Sequence, residues 1–369
     1  MQHARGGHFA RIKSIAVQVA FLGLVVYGLV HIFDNVADNL RRHHILSGFQ
    51  FLNESAGFAI ISTPIAYSES STYFRAFLVG LCNTFIVSCL SLVLCTIVGF
   101  LVGIARLSRN WLVATLATTY VEVVRNIPLL LQIFFWYFGV LRNLPPVRQS
   151  FAIGDTFFLN NRGLFVPSPH MDAVHWLVVF GGVAILSFLC ITRKIAAVKR
   201  IALGAGITAL LTVYSIFFVQ WERPLLQGFN FEGGIDIIPE CVALVVALSL
   251  YTASFVAEVV RSGLMSVPQG QREAARALGL SPWQIQRYIV IPQGMKVMVP
   301  QLSVQYLNVF KNSSLGTAIA YPDLMNVFAG TVLNQTGQAI EVVAMTIAVY
   351  LTISLMISAF MGWYNRRIV

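Results

Sequence analysis

Apolar residues in this chain fall in long unbroken runs rather than in alternation. That pattern predicts helices and argues against a barrel, whose strands alternate lipid-facing and lumen-facing positions. A hydrocarbon core of about 30 Å needs about 20 mostly apolar residues as helix. Eight segments meet that need: Ile15 to Phe33, Phe77 to Ile104, Leu112 to Leu141, Val174 to Ile191, Ile201 to Val219, Ile237 to Ala257, Met295 to roughly Gly316, and Val342 to Trp363. The third holds Glu122, Arg125 and Pro128 inside it, and the seventh holds Pro300 and several amides. The expected fold class is an all-α polytopic membrane protein with about eight transmembrane helices.

Between the runs, two segments exceed a simple turn. Asp34 to Tyr73 mixes Phe49, Phe51, Leu52, Phe58 and Ile60 with Gly, Ser and Asn. It is too apolar for a solvated loop, so it lies on the membrane surface or packs on the bundle. Arg142 to Asp172 carries Pro145-Pro146, Pro167 and Pro169, which oppose a long helix. The fourth and fifth runs are plain and aliphatic, joined by a short basic loop, and read as a peripheral hairpin. The expected division is an anchor and outer segment at 1–73 and a transmembrane domain at 74–369. The latter carries an insertion at 142–236 and a long loop at 258–294.

Composition agrees. Of 369 residues, 57% are hydrophobic and 11% charged, and the mean hydropathy is +0.74. Soluble domains carry about 25% charged residues. A disordered chain, a soluble enzyme and a disulfide-stapled module are excluded on these numbers. The five cysteines all fall in predicted spans without a CxxC pair, so they read as small buried residues. After the first run comes Asp34-Asn35-Val36 rather than a small-x-small cleavage site, so that run reads as a retained anchor.

The net charge of +10 is a topological signal rather than a nucleic-acid footprint. With the N-terminus in the cytoplasm, sixteen Lys and Arg fall on the cytoplasmic side and seven outside, with Arg125 and Lys311 inside spans. Both termini are then cytoplasmic, and Arg366-Arg367 agrees.

The loop from Glu258 to Gly294 predicts two short helices. Gln271 to Leu278 stops at Gly279, the residue type that ends helices in the left-handed conformation. The second starts at Ser281-Pro282, with Gln284 completing a capping box, and ends before Pro292. Ala274, Ala275, Ala277 and Leu278 put small apolar surface on a helix with no span to bury it, and such a helix wants a partner's groove.

These residues carry a resemblance. Glu273-Ala274-Ala275, three residues, Gly279, nine residues, then Ile289-Val290-Ile291-Pro292 resembles the EAA loop of ABC-importer permeases, with isoleucine at the motif's leucine position. Two further segments are similar to the polar-amino-acid branch of that family: Thr84 to Ser108 with Tyr120 to Leu130, and Lys311-Asn312-Ser313-Ser314-Leu315. The extra first span and inserted hairpin look like the larger permease subunit of the general L-amino-acid system. The resemblance implies a type I importer fold with a five-helix core in a bacterial inner membrane. It makes Glu273, Ala274, Ala275, Gly279, Ile289 and Pro292 the residues coupled to an ATPase. The implied partners are a cytoplasmic ATP-binding subunit dimer, a second permease subunit (a related chain or a second copy) and a periplasmic amino-acid-binding protein. This chain then binds no cofactor; ATP and Mg belong to the ATPase.

Polar residues inside spans are functional candidates. Glu122 and Arg125 stand three apart on one helix face, so they form an intramembrane ion pair in the translocation path, or lie near the cytoplasmic third and fix the helix or contact a partner subunit. Gln301, Gln305, Asn308 and Asn312 step by four, three and four, so four amides share a face. They line a translocation path or bind neighbouring helices. Lys311 and Ser313 stand beside them, and Lys311 either receives a substrate carboxylate or snorkels outward. Pro300 is placed to break the helix below.

The leading expectation is a permease subunit importing polar or general L-amino acids by alternating access. No GxxxxGK[ST] segment is present, so ATP is handled elsewhere. The alternative is an ion-coupled secondary transporter or channel, which would carry more mid-span acids and repeated broken helices. An enzyme is disfavoured, since neither HExxH nor GxSxG occurs.

Overall fold

A computed structural model of the chain describes residues 48–170 and 219–368, a helix at Val17–Gly28 (α1), and scattered helical positions between 30 and 35 and between 175 and 214. The predicted runs Val174–Ile191 and Ile201–Val219 are described only in part, at those scattered positions. The remaining helices are α2 (Tyr73–Ala105), α3 (Trp111–Asn126), α4 (Leu129–Phe134), α5 (Pro239–Met265), α6 (Gln269–Ala277), α7 (Pro282–Ile285), α8 (Ile291–Ser313), α9 (Leu333–Thr336) and α10 (Ala339–Ile368). Among the described residues, α2, α5 and α10 are long and apolar enough to cross a membrane, and α3 with α4 makes a fourth if the bent pair is one span. The polar residues of α8 keep it out of that count, although its 23 residues reach about 34 Å.

The bundle is built on α2 against α5, and glycine sets their distance. A Cβ at Gly99 would lie 2.5 Å from Val256 Cβ, and one at Gly103 would lie 2.8 Å from the Ala257 carbonyl oxygen. Small residues four apart let two backbones meet where lipid supplies no hydrophobic drive. At the far end of α5 the same device recurs. A Cβ on Gly294 of α8 would lie 2.9 Å from the Gly263 carbonyl oxygen. α5 is thereby clasped to α2 on one side and to α8 on the other.

The third predicted run is not one straight span. α3 and α4 meet at 105°. Pro128 is the cause: Ile127 before it is extended, as a residue preceding proline prefers, and Pro128 itself is extended (ψ 135°). The buried Gln132 then donates to the carbonyls of Val124 (2.9 Å) and Ile127 (3.0 Å), which the break leaves without helical partners.

Two other prolines do less than expected. The second loop helix does not end before Pro292. α7 runs through a π-helical turn (Gln286–Val290) directly into α8. In that turn the Ile291 N–H reaches back to the Gln286 carbonyl, and the wider turn makes room for the proline ring behind it. Pro300 likewise sits inside α8 without interrupting it.

The described part of the Asp34–Tyr73 segment, from Gly48 onward, packs on the bundle. Phe51 stacks near Phe328 (6.4 Å between rings), Phe77 meets Phe328 edge-on (5.0 Å), and the Gly48 N–H donates to Glu341 at 2.6 Å. The stretch between α8 and α10 is bolted to α2. Asn83 donates to the Pro322 carbonyl (2.8 Å), the Leu324 N–H donates to Thr84 (3.0 Å), and the Tyr321 hydroxyl donates to the Asn83 carbonyl (3.1 Å).

The insertion holds short strands that its prolines did not announce. These are β1 (Phe151–Ile153), β2 (Phe157–Asn160), β3 (Gly163–Val166), β4 (Ser168–His170), β5 (Gln220–Glu222), β6 (Leu225–Gln227), β7 (Asn230–Glu232) and β8 (Ile235–Ile237). β1, β2, β3 and β8 form an antiparallel sheet in that order, while β4–β5 and β6–β7 form separate ribbons. Val147, Phe165 and Phe231 make its small core.

Candidate functional site

The loop after α5 is a built structure, not a tether. α6 ends as Gly279 predicts: Gly279 has φ +79°, its N–H donates to the Arg276 carbonyl (2.9 Å), and the Leu280 N–H donates to the Ala275 carbonyl (3.2 Å). Those two bonds are the paired closure of a Schellman end, with Leu280 folded back onto the loop core. Ser281 then caps α7, with its hydroxyl accepting from the Gln284 N–H and Gln284 accepting from the Ser281 N–H. Val267, Ala275, Ile285 and Val290 close a small core beneath α6, with Ile289 half-buried beside it.

This core divides the Glu-Ala-Ala triplet. Ala275 is only 2% exposed, so it does not present surface as its neighbours do. The sequence grouped it with Ala274 and Ala277; the helix turns it inward, where any larger side chain would lift α6 off its base. Glu273 and Ala274 remain exposed. With Leu278 (81% exposed) and Trp283 (66%), they form an uncovered apolar and acidic face. Pro292 is exposed on the continuous helix.

The loop is joined to the bundle by residues that sequence reading did not single out. The Arg272 guanidinium donates to the Leu264 carbonyl in the last turn of α5 (2.6 Å). One turn and a half earlier on α5, Glu258 accepts from both Arg261 (2.6 Å) and Arg106, the residue that ends α2. The Arg106 side chain is 8% exposed. The Glu258–Arg261 spacing of three was a legible signal; the partner 152 residues away was not.

Glu122 and Arg125 do not form the predicted pair. Both are exposed, and the ion pairs among the described residues are those of Glu258. The break at Pro128 ends α3 just beyond Arg125, which leans instead over the Phe255 ring of α5 at 4.9 Å.

The amides of α8 stay together on one face. Gln301 is exposed and Gln305, Asn308 and Asn312 are half-buried. Among the described residues, none of these side chains is hydrogen-bonded to another helix, so they are not the glue of this bundle. Lys311 lies about a quarter-turn away and lines a cavity of about 450 Å³ with Ser314, Thr346, Tyr350 and Ser354. Ser313 belongs to neither. It is buried, and its hydroxyl donates to the Phe310 carbonyl of its own helix (2.7 Å).

The model of one family, described as "Binding-protein-dependent transport system inner membrane component", matches residues 95–369, about three quarters of the chain. The chain belongs to that family. It is 48% identical over 377 residues to the putative amino-acid ABC transporter permease protein YhdX of Escherichia coli (strain K12), covering 97% of this chain and 94% of that one. It is 46% identical over 375 residues to the general L-amino acid transport system permease protein AapQ of Rhizobium johnstonii, covering 97% and 91%. Among solved structures, "Crystal structure of an amino acid ABC transporter with histidines" matches over 80% of this chain and 95% of that chain, with 22% identity and a TM-score of 0.50. At that identity the match speaks for the fold alone. The type I importer permease fold is what residues 48–170 and 219–368 build. As a binding-protein-dependent inner membrane component, the chain is a transport subunit.

Proposed function

We propose that the chain is the permease subunit of an importer for polar or general L-amino acids, coupled by α6 to a cytoplasmic ATPase. The observation that carries this reading is the division of the loop. Ala275 is locked into the chain's own core, while Glu273, Ala274, Leu278 and Trp283 stand uncovered on a helix held by Arg272, the Gly279 turn and the Ser281 cap. A short, rigid, exposed helix fits a groove on a partner. Its link through Leu264, Glu258 and Arg106 to α5 and α2 carries any displacement of that partner into the spans.

In this reading a dimer of ATP-binding subunits holds ATP and magnesium in the cytoplasm. A periplasmic amino-acid-binding protein delivers substrate at the opposite face. A second, related permease chain covers the open amide face of α8, so Gln301, Gln305, Asn308 and Asn312 line the path between the two chains. Lys311, in its own cavity against α10, is placed to hold a carboxylate. Both termini lie in the cytoplasm.

The test is crosslinking in the assembled transporter. A cysteine at Ala274 is expected to reach the ATP-binding subunit, and one at Ala275 is not. Equal crosslinking at both positions, or at neither, would remove the docking face. A second expectation concerns size: Ala275→Leu is expected to abolish uptake, whereas Ala274→Ser lowers it less than twofold in the same vesicle assay. Loss of the N-cap in Ser281→Ala is expected to destabilise the loop by about 1 kcal/mol, seen as faster protease cleavage between α6 and α8 with the spans intact.

A further inference from the structure

The strands of the insertion are three or four residues long. At roughly 3.3 Å per residue each spans only about 10–14 Å. This thin unit is tied at both ends to chain long and apolar enough to cross a membrane. Asn143 ends the broken span, β8 stops two residues before α5, and β4 and β5 bracket the two aliphatic runs. His170 of β4 is the register partner of Gln220 of β5, so the chain leaves for the first run and returns from the second at one level. A unit so small, held at both ends by such helices, has little reach beyond the polar zone of a bilayer, which is roughly 5–8 Å deep on each side.

Its uncovered residues suit that zone. Gly228 (φ +63°) and Phe229 turn the chain from β6 to β7, and Phe229 is 75% exposed. Leu225 and Leu226 on β6 are exposed as well. Phe231, two residues further, is buried with Val147 and Phe165, so the unit has a core and Phe229 is not in it. Behind the tip stand two cations. The Arg148 guanidinium lies over the Phe229 ring at 4.8 Å, and Arg162 reaches the Phe229 carbonyl at 3.4 Å. An apolar tip backed by guanidinium groups matches a phospholipid surface, with the ring below the phosphates and the charges at their level.

We propose that the β6–β7 hairpin is an interfacial anchor. Its tip sits in the leaflet on the insertion side, at the boundary of headgroups and acyl chains, with Arg148 and Arg162 facing lipid phosphates. The anchor fixes the level of the insertion and of the first turn of α5, into which β8 leads.

The experiment uses the assembled transporter in vesicles of phosphatidylethanolamine and phosphatidylglycerol. Phe229→Trp is read as the difference from wild-type emission. The expected signal is blue-shifted and quenched at least twofold by lipids brominated near the glycerol end of the acyl chain, and less by lipids brominated near the methyl end. Arg148→Gln with Arg162→Gln is expected to weaken that quenching and to remove its dependence on phosphatidylglycerol content. Leu225→Trp gives an independent probe of the same surface if the first variant assembles poorly. Emission at the solvent wavelength with no quenching by either lipid overturns the proposal. So does a blue shift that arises only when the binding protein is added, which would assign the tip to that partner.

Discussion

Glu258→Gln is expected to destabilise the subunit by about 3 kcal/mol, the low end for a broken buried ion pair. The low end applies because the Glu258 side chain keeps 29% exposure. The effect comes less from the lost attraction than from the stranded partner. Arg106 ends α2 with its side chain 8% exposed, and its charge then has no counter-ion. Arg261 is 31% exposed and turns to water at little cost. The asymmetry gives the prediction its shape. Arg261→Gln should cost under about 1 kcal/mol, in the range of surface pairs. Arg106→Gln placed on top of Glu258→Gln should recover part of the loss, because it removes the stranded charge. Thermal unfolding of the purified subunit, compared across Glu258→Gln, Arg106→Gln and their double, measures the coupling. If the double variant unfolds at the same temperature as Glu258→Gln alone, Arg106 is not the residue that suffers.

In the coupling proposed above, the same carboxylate sits at the joint between the loop and the spans. Below it, α2 and α5 touch backbone to backbone at Gly99 and Gly103; beyond it, Gly263 meets Gly294 of α8. Arg272 then holds α6 to the Leu264 carbonyl. Helices clasped this closely move as one piece or not at all. Under that proposal, motion delivered to α6 reaches α2, α5 and α8 together, while α3 is joined to α5 differently, through Tyr120, whose hydroxyl donates to the Leu250 carbonyl, and through Arg125 over the Phe255 ring. A Val at position 294 would drive a Cβ against the Gly263 carbonyl and separate α5 from α8 at the root of the loop.

What could be read in advance followed locality. The turn at Gly279 and the cap at Ser281 depend on residues within four positions, and the structure forms both as their spacing implies. Pro128 was visible, but the 105° bend was not, because a proline can also be carried inside a continuous helix, as Pro300 is, and the residue type alone does not decide between the two. Glu122 and Arg125 had ideal spacing for a pair, yet α3 ends beside them and Phe255 supplies another partner. Nor could spacing tell which alanine of Ala274-Ala275 faces inward; that follows from Val267, Ile285 and Val290 closing beneath one of them. The insertion's strands are too short to show a two-residue period. Their glycine turns at Gly154 and Gly228 were the available sign.

Gly279→Pro is expected to lower uptake at least tenfold while leaving the subunit inserted and assembled. The position demands φ near +79°, and proline is fixed near −65°. The ring also removes the N–H that donates to the Arg276 carbonyl, and with it one of the two bonds that end α6. No Cβ clash adds to this, since open space surrounds Gly279. The cost is therefore one of backbone conformation and, for Pro, of that lost bond, and it should grade with the residue. Asn tolerates the left-handed region and should retain most uptake; Ala should lose more, at about 1–2 kcal/mol for that region; Pro should lose nearly all. If α6 is the coupling helix proposed above, the damage falls on transmission: ATP hydrolysis should persist without accelerating when loaded binding protein is added. Uptake and hydrolysis measured side by side in vesicles separate this from misfolding, which lowers both. An order in which Ala outperforms Asn would mean that side-chain contact, rather than the left-handed turn, is what position 279 supplies.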